Sequence, residues 1–117
     1  MVGKTQHWKE WLLAIYELRT YTLHPGKIAE AIELYTKIGW PALEPYQKYL
    51  VGYFTGDIGA LNQIVHLWKF ADDADRREMW KNIYAEEQFM AFAAQFRPLI
   101  RIQENKLLLA SPWGPHP

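Results

Sequence analysis

The segment NQIVHLWKF, residues 62–70, sets one histidine inside a run of apolar and β-branched residues. Imidazole titrates near neutral pH, so His66 in a poorly solvated place is suited to remove or return a proton on a bound carbonyl compound or phenol. Two residues on, Trp68 offers a flat apolar surface. In IYELRTYTL, residues 15–23, Glu17, Arg19 and Tyr21 supply a carboxylate, a permanent cation and a phenol at the same alternate spacing. Glu104, in LIRIQENKLLL at 99–109, is a second carboxylate that can neutralise Arg19, and Asn62 stands at the entry to the histidine segment. Each residue also has a plainer role. Arg19 with Glu17 or Glu104 is either an anchor for an anionic ligand or an ion pair that fixes strand register. Trp68 and Tyr21 either stack on a ligand or pack, Asn62 either touches a ligand or caps a turn, and His66 is either catalytic or a neutral ring hydrogen-bonded in a subunit interface.

Other chemistries find no scaffold. His7, His24 and His116 fall in an N-terminal arm, a turn and a tail, so no multi-histidine metal site is expected. GDIG at 56–59 lacks the Walker spacing with its lysine and the strand-to-helix setting of a dinucleotide loop. His66 as an axial haem ligand would stand without matching motifs, and no cofactor is expected. The chain contains no cysteine, which excludes a thiol nucleophile, a zinc-thiolate site and a disulfide framework and suits a reducing, cytoplasmic compartment. Thirteen basic and thirteen acidic side chains cancel, leaving no positive field for nucleic acid or a membrane surface. The apolar run from Trp11 to Ile15 is too short for a signal-peptide core or a bilayer span, so no membrane insertion is expected.

The elements that must position these residues follow from periodicity. With 117 residues, half of them apolar, the chain suits one domain with its own core. Residues 1–14 are expected to form an extension, residues 15–113 the domain, and 114–117 an irregular end. Residues 15–23 alternate as a strand, with Tyr16, Leu18, Thr20 and Thr22 opposite Glu17, Arg19 and Tyr21. HPGK breaks the chain; Ile28, Ala31, Ile32, Tyr35 and Ile38 then mark a helix stripe that Gly39, Pro41 and Pro45 end or kink. YLVGYFT at 49–55 and residues 62–70 predict two antiparallel strands joined by GDIGALN. Asp72 or Asp73 caps a helix through Arg76, Met79, Trp80 and Ile83, which YAEEQ interrupts. Phe89, Phe92, Ala93 and Phe96 form another stripe, Pro98 stops it, and 99–109 is the last strand. The tail ASPWGPHP is expected to be irregular and to lie across a neighbouring subunit.

Strand, helix, strand, strand, helix, strand is the split βαβ order of a ferredoxin-like α+β fold: a four-stranded antiparallel sheet in order 4-1-3-2, with helices on one face and the other bare. Val65 and Leu67 suit the helix-covered face, which puts His66 and Trp68 on the bare face with Glu17, Arg19 and Tyr21 as a pocket wall. Glu104 is expected on that pocket side, next to Arg19.

YELRTYTLHPGK at 16–27, LVGYFTGDIGALNQIVHLWKF at 50–70, and RPLI with QENKLL at 97–108 resemble the NIPSNAP family, in order and spacing, over residues 15–113. The resemblance implies a dimeric α+β barrel, in which two ferredoxin-like subunits oppose their bare sheet faces and leave a small-molecule cavity in each. It implies no settled substrate. The expectation is a homodimer binding a small, partly apolar molecule between Arg19, Tyr21, Asn62, His66, Trp68 and Glu104. The alternatives are a cofactor-independent monooxygenase or isomerase with His66 as general base, and a structural or protein-interaction dimer without a ligand.

Overall fold

The computed structural model describes residues 13–117, so the expected N-terminal extension lies almost wholly outside the described residues. Strand β1 is Ile15–Leu23, followed by helix α1, Ile28–Leu34. The helical path continues as a π-turn over Tyr35–Gly39, a short helix α2 at Trp40–Leu43 and a 3-10 segment at Glu44–Tyr49. Strands β2, Leu50–Thr55, and β3, Gln63–Phe70, form the hairpin. Helices α3, Asp73–Tyr84, and α4, Glu87–Phe96, precede β4, Ile100–Leu109. The sheet order is β2-β3-β1-β4, which is 4-1-3-2 read from the other edge, and every pairing is antiparallel.

Local chemistry sets the boundaries. The Asp72 side chain accepts a hydrogen bond from the Asp75 backbone N–H at 2.8 Å, a regular N-cap for α3. The hairpin closes through Asn62, whose φ of 59° lies in the left-handed region that asparagine tolerates, and whose carbonyl accepts from the Leu23 N–H at 2.8 Å. In the first helical segment Gly39 and Pro41 do not end the path. Instead the Trp40 N–H reaches the Tyr35 carbonyl five residues back, and Pro41, with no N–H of its own, cannot restore the α spacing there. Gly39 also faces α4 so closely that a Cβ on it would lie 2.6 Å from Cε1 of Phe92.

Helices cover one sheet face, and the core lies between them and the sheet: Leu23, Ile64, Trp68 and Phe70 from the strands meet Met79, Ile83, Phe92 and Phe96 from α3 and α4. This reverses the expected facing of the strands. Glu17, Arg19, Tyr21, His66 and Trp68 all point under the helices and are buried, while Leu18, Thr20, Val65 and Leu67 lie half-buried on the uncovered face. The reason is visible in β3. Its one alternate set carries Ile64, Trp68 and Phe70, a much larger apolar surface than Val65 and Leu67 together, and burial of that set takes His66 inside with it. Strand β4 is corrected too. Glu104 pairs directly with Thr20 and so sits on the uncovered face, exposed and away from Arg19, whereas Gln103 pairs with Tyr21. The tail folds back on its own chain: the Tyr16 hydroxyl donates to the Pro117 carbonyl at 2.9 Å and Lys69 Nζ to the His116 carbonyl at 3.2 Å.

Candidate functional site

Arg19 and His66 are direct cross-strand partners, and Tyr21 follows Arg19 on the same face. Tyr53, on β2, is the other cross-strand neighbour of His66. The phenol of Tyr53 stacks on the imidazole with centroids 4.3 Å apart and planes at 4°, and the Tyr21 ring tilts against the same imidazole at 57°, with centroids 5.0 Å apart. Trp80, from α3, lies under the Arg19 guanidinium, 3.7 Å from carbon to ring centroid. These residues enclose a cavity of about 80 Å³ between sheet and helices, closed above by Phe89, Phe92 and Phe96 and bounded at its mouth by Arg97 and Gln103. A second, outer depression of about 280 Å³ is lined by Tyr35, Thr36, Trp40 and Tyr53. Tyr35 and Tyr53 belong to both, with their hydroxyls 3.5 Å apart, and form the partition between them.

The buried charges satisfy one another. Arg19 Nε donates to Glu17 Oε2 at 2.7 Å, and Glu17 Oε1 accepts from Trp80 Nε1 at 2.9 Å and faces Arg76 Nη1 at 3.4 Å. A carboxylate buried to this extent needs such partners, since an isolated one would be strongly destabilising. Burial opposes the charge on Arg19, but the Tyr21 phenol and the Glu17 carboxylate outweigh it, and the guanidinium holds its proton more tightly than usual. Burial raises the Tyr21 phenol, with Arg19 acting against it, so that hydroxyl stays protonated.

The histidine is different. Trp68 Nε1 donates to His66 Nδ1 at 2.6 Å. An indole N–H can only donate, so Nδ1 must carry the lone pair and Nε2 the hydrogen. Burial, with the nearby Arg19 charge adding to it, pushes the ring's pKa down to about 3, which keeps it neutral at physiological pH. Nε2, fully buried, has no hydrogen-bond partner among the described residues. His66 is therefore a hydrogen-bond donor with nothing to donate to, and its one in-plane lone pair is already engaged. That arrangement suits polarising or holding an oxygen atom and does not suit accepting a proton.

Of the residues singled out from the sequence, Arg19, Tyr21 and His66 come together around the cavity. Trp68 stands behind the cavity and fixes the tautomer and orientation of His66. Asn62 closes the hairpin, and Glu104 lies on the other sheet face; neither lines the cavity. Sequence reasoning missed Tyr35, Tyr53, Trp80 and Arg97. Tyr53 was within reach of it, because pairing the two hairpin strands through GDIGALN sets YLVGYFT against the histidine strand.

Comparison with known proteins agrees with this architecture. The NIPSNAP family model matches residues 16–115. A NIPSNAP family protein from Agrobacterium tumefaciens is 33% identical, with a TM-score of 0.80 over 86% of this chain and 89% of that one. Among curated proteins, the human Protein NipSnap homolog 3A is 31% identical over 100 residues, which is 84% of this chain and 40% of the relative, so the chain spans well under half of that protein. A cofactor-independent oxygenase from Streptomyces nogalater shares the fold, with a TM-score of 0.59 at 20% identity over 89% of this chain and 99% of that one.

Proposed function

This chain belongs to the NIPSNAP family, and we propose that it binds a small, partly apolar molecule in the cavity between its sheet and helices, as one half of a homodimer. The observation that carries this reading is the buried Nε2–H of His66, a donor left without a partner at the floor of an aromatic cavity. Leaving a buried polar group unmade costs about 1–3 kcal/mol, a cost that an acceptor on a bound molecule removes. A ligand-free structural dimer would keep that cost with no return. The other alternative, an oxygenase or isomerase using His66 as general base, draws no support from the ring's hydrogen bonding, since the lone pair faces Trp68.

The homodimer reading draws on the uncovered sheet face. Leu18 and Val65 lie at its centre, with Phe54 60% exposed and Ile102 42% exposed beside them, while the chain's own tail covers the end near Tyr16 and Lys69 and borders Leu67. A second copy laid face to face would bury that apolar strip. The absence of cysteine supports a reducing compartment such as the cytoplasm.

Native mass spectrometry of protein purified from its own host tests the ligand. A co-purifying small molecule released on denaturation is the expected result; a bare chain mass, with no gain in thermal stability across a library of small organic compounds, would count against it.

A further inference from the structure

We infer that the ligand of this cavity presents an anionic oxygen, the carboxylate, enolate or phenolate of a small organic acid, to His66 Nε2–H and the Arg19 guanidinium. This rests on the pocket reading above and adds the chemical class of the molecule bound. The first support is the excess of donors. His66 offers Nε2–H, and the Tyr21 hydroxyl, which accepts from Arg19 Nη1 at 3.4 Å, keeps its own hydrogen for another partner. Arg19 uses Nε on Glu17, leaving terminal N–H groups for the cavity it lines. An oxygen with several lone pairs satisfies such a set, and a charged one does so with stronger, shorter bonds.

Charge points the same way. Among the described residues, the charged side chains lining the cavity are Arg19 and Arg97, both cations, and none is a carboxylate. Glu17 lies behind Arg19. There it meets Arg19 and Arg76, so the carboxylate is held on the far side of the guanidinium from the cavity lining. Arg97 forms no ion pair among the described residues and stands exposed at the mouth.

Size fixes how the molecule lies. A cavity of about 80 Å³ is well below the few hundred Å³ of a typical ligand pocket and suits a head group. The apolar body would pass the Tyr35 and Tyr53 partition into the outer depression beside Trp40. Displacement of those two rings, neither of which is a hydrogen-bond partner of Glu17, would open the inner space to the outer one.

The test uses 4-nitrophenol, whose colour reports its ionisation, titrated with the full chain at a pH below the compound's solution pKa. The expected result is uptake as the yellow phenolate, displaced by acetate and benzoate. Affinity should fall about tenfold or more in Arg19→Met, which leaves Glu17 with Trp80 and Arg76, and less in Arg97→Gln. Nitrogen-15 spectra of the unsubstituted protein give a readout that does not depend on a variant folding: His66 should show the Nε2–H tautomer, and that proton should move downfield when the phenolate binds. Uptake of the neutral phenol alone, or an Nδ1–H tautomer, would overturn the anion assignment while leaving the pocket in place. Failure of nitrophenol, acetate and benzoate to bind at all would overturn the pocket reading as well.

Discussion

His66→Gln removes a buried ring whose proton affinity differs sharply between the folded and unfolded chain, while a glutamine oxygen can still accept from Trp68. The folded ring has its pKa lowered to about 3 from an ordinary 6.5, first by burial and then by Arg19. The unfolded chain therefore binds the proton more tightly, so stability is fully present above about pH 6.5 and is lost progressively as pH falls toward 3, where the folded ring also protonates. At pH 5 the linkage amounts to about 2 kcal/mol, the free energy by which protonation favours the unfolded ring. Urea unfolding of both proteins at pH 8 and pH 5 measures it. The wild type should lose about 2 kcal/mol more than His66→Gln between those values, since acid losses from carboxylates are common to both. Equal acid sensitivity in the two proteins would mean that His66 titrates normally in the fold, and the argument for a neutral donor would fail.

Other perturbations probe the framework around the cavity. Trp80→Phe deletes the N–H that meets Glu17 Oε1 and should destabilise by about 1–3 kcal/mol in denaturant titrations, because the carboxylate it leaves is buried. Gly39→Ala would drive a methyl group against Phe92 and should lower stability by about 1–3 kcal/mol, whereas alanine at an ordinary helical position would raise it. Phe54→Lys, on the uncovered face, should shift the molecule from dimer to monomer in light scattering at micromolar concentration with little change in the far-ultraviolet spectrum; a wild type that is already monomeric would contradict the dimer reading.

The order of the elements and the antiparallel hairpin were legible in the sequence because alternation, turn residues and helix stripes agreed at each step. GDIGALN, Asp72 and Pro98 mark their boundaries in the fold as they do in the chain. The facing of the strands was not legible by polarity. Glu17, Arg19 and His66 look like solvent-side residues one at a time, but together with the N–H groups of Trp80 and Trp68 they form a set that carries its own hydrogen bonds into the core. A comparison of apolar volume on the two faces of β3 would have favoured the observed side. Glu104 failed for a related reason: side chains in β4 are exposed on both faces, so its alternation holds little information, and only the register with Thr20 assigns it. The π-turn at Tyr35–Gly39, which places Tyr35 at the cavity partition, depends on Pro41 and on the approach of Phe92 across the core, a tertiary contact that no local pattern reports.

A small molecule seated between the sheet and the helices would hold an oxygen against His66 Nε2 and Arg19. A crystal structure of the protein grown with benzoate measures this most directly. A carboxylate within hydrogen-bond distance of His66 Nε2 and the Arg19 guanidinium, with Tyr35 and Tyr53 displaced to admit the ring, is the expected result; benzoate found between the uncovered faces of two copies, with the inner cavity closed, would refute it.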